Sequence, residues 1–460
     1  MSLQLHPEAA KNLNRKAEDL FQTVAPDPHI KSHHHVGFMP DIVTHSIPGE
    51  DVHNLSINSY VGGPLNREIG KTFSINGSVF GLFDEGYKAL VRLAEAMQKT
   101  KALAGTVSVH FLIDAIFHWI ATSHQRTDVV PMTEAVLAEA EKSIQDIELW
   151  LPVAMLYVES EIVIGRVTLK TITKEILDDY HEATIKHIRK EGHGISPELE
   201  QHFRIERQEL QGLAAATITL SAEPQRANEI AFEEAENSLA MLRLYSLANL
   251  EPELTSHCTF LGRERIEEAR TFTVRDRRIQ GFSRKVSAAD PSWKLDRAMI
   301  AELLHVRGLG FLSNLLQRDN RTEYEQALLD CLLLYSNCAL AKSPDNKLVA
   351  VLTALESMLL QNSSEPIQQN LAERIAYMFS PEKRIAIKKS VLRAYGLRSS
   401  FIHHGHQITT DEIDALREFL LNAWSALHGL MNLSSLCSTK EQFFKRFEEA
   451  KMSGASMFEK

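Results

Sequence analysis

After Pro291 the strand signals stop, and apolar residues recur at helical spacing almost to the end of the chain. That single change constrains the fold most, because it commits residues 291–455 to an all-α bundle. The periodicity predicts helices over 294–317, 323–341, 346–360, 365–379, 381–397, 410–431 and 440–451. Breaks fall at 318–322, at Ser343-Pro344, at 361–364, at Ser380-Pro381 and at 405–408. Ser380 before Pro381 has the pattern of an N-cap with proline in the first turn. Thr410 with Ile413 lacks a capping box, although Asp411 and Glu412 favour a helix start electrostatically.

The chain upstream of Pro291 is mixed. Residues 1–80 read as irregular, with short β-like pieces such as 54–61. Residues 81–290 read as a mixed α/β region in the place of a sensor or regulator. Helices are expected from 82 (Leu90, Leu93, Ala94 and Met97 share a face), at 107–122, 133–146 and 227–247. A β-hairpin is expected over 149–171, and strands over 214–222, 255–261 and 271–283. The expected class is therefore α+β and predominantly helical, with an N-terminal mixed α/β region followed by a C-terminal all-α bundle.

Composition narrows what such a chain does. Of 460 residues, 44% are hydrophobic and 24% charged, as in soluble globular proteins. No apolar run reaches the roughly 18 residues that a membrane helix needs. The N-terminus carries no signal-peptide core, and the four cysteines are scattered, so a reducing cytoplasm is the expected setting. A net charge of −10 means that any nucleic-acid contact must be local.

The chemistry concentrates in Leu397-Arg398-Ser399-Ser400-Phe401-Ile402-His403-His404-Gly405. A permanently charged Arg and a His that gives or takes a proton suffice to cleave RNA without a metal. Residues five apart on a regular helix do not share a face, whereas Ser399 and His403 do. Arg398 and His403 therefore meet only if the helix ends or distorts, or if a second protomer completes the site. Without a family in view, the simpler reading is a helix C-terminus whose His403 and His404 complement the dipole, with Gly405 as the left-handed stop.

Three ordered pieces add to this pair: Ala354-Leu355-Glu356, then Leu371-Ala372-Glu373-Arg374-Ile375-Ala376, then Leu397-Arg398-Ser399 leading into Ile402-His403-His404-Gly405. Together they resemble a HEPN domain, and more closely the ApeA-type HEPN families, over about a third of the chain. The resemblance implies a HEPN helical bundle and a metal-independent endoribonuclease of bacterial antiphage defence acting by abortive infection, with RNA as substrate and tRNA as one candidate. It implies His403 as general base or acid, and Arg398 on the scissile phosphate. Glu356 would orient Arg398 or His403, and Ser399 matches the polar residue that commonly follows the Arg. His404 fits the spacing as well as His403 does, so the choice between them stays open. The resemblance also implies a homodimer or higher homo-oligomer through these helices and, for a defence protein, a phage-derived trigger. No cofactor, metal or membrane partner is implied. The alternative of a different class is a non-catalytic HEPN module that binds a protein or RNA partner.

Other clusters carry less. Arg263, Arg265, Arg270, Arg275, Arg277, Arg278, Arg284 and Lys285 form the strongest basic run. Arg275, Arg277 and Arg278 are its candidate RNA contacts, against a solvated face balanced by Glu264, Glu267 and Glu268. His33, His34, His35, His45 and His53 lack standard metal-ligand spacing. His110, Asp114 and His118 recur every four residues on an otherwise apolar helix, which favours a buried hydrogen-bonded seam over a ligand stripe.

Overall fold

Pro7 opens the first helix, α1 (Pro7–Phe21), where its missing N–H costs nothing. Its residues Leu13, Ala17 and Leu20 recur on one face and are buried. In this computed structural model the structure describes residues 3–26, 41–45, 56–62, 67–75, 78–124, 129–256, 258–263, 268–275, 277–286, 293–362, 364–454 and 456–458. After α1 come strands β1 (Ala25–Pro26), β2 (Asp41–His45), β3 (Ser56–Gly62), β4 (Arg67–Ile75) and β5 (Ser78–Phe83). They form one antiparallel sheet in the order β1-β5-β4-β3-β2. Helices α2 (Asp84–Gln98), α3 (Val109–Ser123) and α4 (Met132–Ser143) follow. Leu13, Leu20, Phe73, Leu90, Phe117 and Val136, from five of these elements, share one core. Burying a leucine of this kind contributes about 1.5–3 kcal/mol. The described residues of 1–80 thus form a helix and strands of a sheet.

The chain divides into two compact units, one of residues 1–149 and 219–231, the other of 150–218 and 232–460. Strands β6 (Gln145–Pro152), β7 (Leu156–Val158), β8 (Ile162–Ile164) and β9 (Val167–Thr171) come next. Then follow α5 (Lys174–Lys190), α6 (Pro197–Leu210), β10 (Ala214–Ala222) and α7 (Pro224–Arg243). The four-stranded sheet runs β6-β10-β9-β8. The hairpin expected over 149–171 is tighter than that: only β8 and β9 form it, with Ile164 opposite Val167. Helices α5 and α6 went unread in the sequence, although Thr173 and Ser196 cap them through side-chain oxygens. The described residues of 255–261 form no strand; Phe260 makes an isolated bridge to Val153.

Strands β11 (Glu268–Arg275) and β12 (Arg278–Val286) pair as an isolated antiparallel ribbon. Past Pro291 one short strand persists, β13 (Trp293–Leu295), parallel to β7. The helix expected over 294–317 is two: α8 (Arg297–His305) and α9 (Leu309–Gln317), broken at Gly308, whose φ of 94° only glycine adopts without strain. The bundle proper is α10 (Glu323–Leu340), α11 (Pro344–Leu359), α12 (Ile367–Ala376), α13 (Arg384–His404), α14 (Thr410–Leu433) and α15 (Lys440–Ser453). The chain is predominantly helical α+β, as its sequence predicts. Thr322 and Glu325 close a capping box on α10. On α14 the box is formed by Thr409 and Glu412, one residue earlier than the expected Thr410 start. Pro381 opens a 3-10 turn in which Ser380 makes no side-chain cap, so α13 proper starts at Arg384. Among the described residues no single helix is long and apolar enough to cross a membrane.

Candidate active site

Two helices of the bundle, α11 and α13, meet at Glu356. Helix α11 buries Leu348, Val351, Leu352, Leu355 and Leu359, which fixes its rotation and leaves Glu356 at the edge of the apolar face. Helix α13 buries Ile387, Val391, Ala394 and Tyr395, and one turn beyond Tyr395 stands Arg398. Arg398 Nη1 donates to Glu356 Oε1 at 2.8 Å, with side chains 26% and 19% exposed. The Tyr395 hydroxyl donates to the same oxygen at 2.7 Å. Burial, and then that hydrogen bond, raise the Tyr395 phenol well above its ordinary pKa, so at neutral pH it is a fixed donor. The Arg398 guanidinium also lies 6.0 Å from the Tyr395 ring centroid, at the outer range of a cation–π contact. Arg398 Nε is buried without a hydrogen-bond partner.

Of the two partners the resemblance gives Glu356, the geometry pairs it with Arg398, as a partly buried carboxylate. Tyr395 was not singled out from sequence. Its signal was its place three residues before Arg398, on the same helical face.

Helix α13 runs on past 397, where the periodicity ends it, through His404. Gly405 stops it at φ 65°, and the N–H of Gly405 and of His406 return to the Phe401 and Ser400 carbonyls. The anticipated glycine stop is therefore present, seven residues later than the predicted helix end. Ser399, His403 and His404 are all exposed. Because the helix stays regular through His404, Arg398 and His403 lie about 140° apart around its axis. One chain does not bring that pair together.

The loop beyond the motif is held in place. Asp345, buried in the first turn of α11, accepts the Ile408 N–H at 2.9 Å. Glu412 accepts the Thr409 N–H at 2.9 Å and lies 3.2 Å from His406 Nε2. Asp345 and Glu356 stand about three turns apart on one face of α11, so a single helix positions both Arg398 and the segment after His404.

The remaining candidates are dispersed. Arg275 and Arg278 are register partners at the closed end of the ribbon β11–β12, with Arg277 at φ 60° between the strands. Arg277 and Arg278 are exposed. Asp114 is not buried in a seam: it is half exposed, and its Oδ1 pairs at 2.6 Å with the buried Lys71 of β4, while His110 Nε2 is 3.6 Å from Oδ2. His118 faces Glu139 at 3.7 Å. The stripe is thus split between partners, because the helix packs its apolar residues inward and turns these outward. His33, His34, His35 and His53 lie outside the described residues, and His45 is described only by its backbone place in β2. Among the described residues no group of three or more His, Cys, Asp or Glu is arranged to hold a metal ion. Cys258, Cys331, Cys338 and Cys437 are buried and form no disulfide, and burial pushes Cys331 up to about 12 and Cys338 to about 11. That removes Cys331 and Cys338 as thiolate nucleophiles.

A scan against protein-family models, a search of curated proteins and a search of solved structures each found no match for this chain.

Proposed function

We propose that the chain is a metal-independent endoribonuclease of the HEPN type, cytoplasmic and acting in bacterial antiphage defence. The observation that carries the reading is the Glu356–Arg398–Tyr395 cluster. It is an Arg held by one oxygen of a carboxylate at the surface of an all-α bundle, on the same helix as His403 and His404. A guanidinium placed this way can take the scissile phosphate and stabilise charge on the pentacoordinate transition state. His403 or His404 removes the proton from the ribose 2′-OH. The 2′-oxygen then bonds to phosphorus, the bond to the 5′-oxygen breaks, and that oxygen leaves with a proton. The products are a 2′,3′-cyclic phosphate and a 5′-OH.

The 140° separation on α13 favours a homodimer in which a second copy supplies the histidine. The same separation supports the second reading, a non-catalytic module that binds a protein or RNA partner. A cleavage assay on labelled tRNA and total RNA, with and without EDTA, decides between them. The enzyme reading expects EDTA-resistant cutting that leaves cyclic phosphate ends and is lost in either His403→Ala or His404→Ala. RNA left intact with or without infected-cell extract, which would supply a phage-derived trigger, favours the binding module.

A further inference from the structure

Within the ribonuclease reading, we infer that Tyr395 is a positioning residue: it holds Glu356 to a single-oxygen grip on Arg398 and so leaves Nη2 of the guanidinium free for a phosphodiester oxygen. The geometry points there directly. Glu356 Oε1 takes two donors, Tyr395 Oη at 2.7 Å and Arg398 Nη1 at 2.8 Å. Among the described residues, Glu356 Oε2 and Arg398 Nη2 have no hydrogen-bond partner, and Arg398 Nε is buried without one. An Arg–carboxylate pair left to itself tends to a two-oxygen fork, which is the arrangement an incoming phosphate also seeks. The Tyr395 bond fixes the plane of the carboxylate with Oε1 toward Arg398 and Oε2 without a partner. The carboxylate then orients the Arg without occupying Nη2. Tyr395 is only 3% exposed, so its hydroxyl cannot swing away to water.

The test separates binding from cutting. A labelled single-stranded oligonucleotide with 2′-O-methyl riboses has no 2′-OH nucleophile, so its affinity for the full chain reports binding without cutting. Tyr395→Phe frees Glu356 to close on Arg398, and affinity should fall roughly tenfold, with Arg398→Ala showing the same loss. Adding Glu356→Gln to Tyr395→Phe removes the competing fork and should restore affinity to within about twofold of the parent. A merely structural tyrosine would give no such rescue. Parent-like binding by Tyr395→Phe, no rescue in the double variant, or no binding by the parent chain overturns the inference. If Tyr395→Phe does not fold, Glu356→Gln alone carries the test: unchanged or tighter binding supports the inference and a tenfold loss overturns it. Failure of the enzyme reading looks different, since the rescue pattern would hold while unmodified RNA stays uncut.

Discussion

The bundle contains two Glu–Arg pairs that look alike in sequence and differ in construction. Arg374 on α12 meets Glu365 with two parallel hydrogen bonds of 3.0 and 2.9 Å, and its Nη1 also reaches the Leu359 carbonyl at 2.6 Å. Its side chain is 6% exposed and stacks 4.6 Å from the Phe444 ring. Burial works against the Glu365 charge, yet bonds from Arg374, the Gln361 N–H and Asn370 hold its pKa at about 2. Arg398, by contrast, is a quarter exposed and touches Glu356 through one oxygen. The first pair uses its donors to join α11 and α12 and is built for stability. The second leaves donors without a partner among the described residues, which is what the proposed reading needs. Denticity and burial, rather than residue identity, set the two pairs apart.

Breaking the first pair should have the largest effect. Arg374→Ala leaves a carboxylate buried without its partner and should cost about 3–5 kcal/mol, read as a lower midpoint in chemical unfolding. The same pair predicts a pH dependence. The folded value of about 2 lies below the ordinary 4.5, so this stabilisation is present above pH about 5 and is lost as pH falls toward 2. Glu365→Gln should flatten that part of the profile.

Arg398→Ala should reverse the pattern. Its partly exposed, single-oxygen pair contributes about 1 kcal/mol or less to folding, while RNA cleavage should fall by about 10²–10³. Smaller still is the ribbon. Arg277→Ala with Arg278→Ala should weaken RNA binding similarly across sequences and reduce the salt slope by about two, measured by titration at several salt concentrations. If these exposed arginines only solvate the ribbon, the slope stays put. The smallest effect is at the capping box after the motif, where Thr409→Ala should cost about 1 kcal/mol in thermal unfolding.

The two pairs also mark how far sequence reading reaches. Strand β10 and helix α10 lie where their patterns put them, because a continuous β-rich run and a capped amphipathic run are local signals. Gly405 was legible as a stop, but α13 runs seven residues beyond the apolar periodicity. Its last turns are exposed and held by the glycine stop, so no core-facing pattern marks them. Helix α1 was readable from Pro7 and from Leu13, Ala17 and Leu20, and was missed for want of a flanking pattern. The β7–β13 pairing joins residues about 137 apart and leaves no local trace. At the site, Arg398 stood out through its type and its spacing from His403, and Glu356 only through the family resemblance. Tyr395 and Asp345 act through a neighbouring helix or loop, and only the packing of α11 against α13 and the 405–409 segment reveals them.

The most direct test pairs cleavage with stability in Arg398→Ala. The expected result is parent-like thermal unfolding, within a few degrees, together with loss of EDTA-resistant cutting that the parent chain performs. A variant that folds like the parent and still releases 2′,3′-cyclic phosphate ends at the parent's rate would contradict the account.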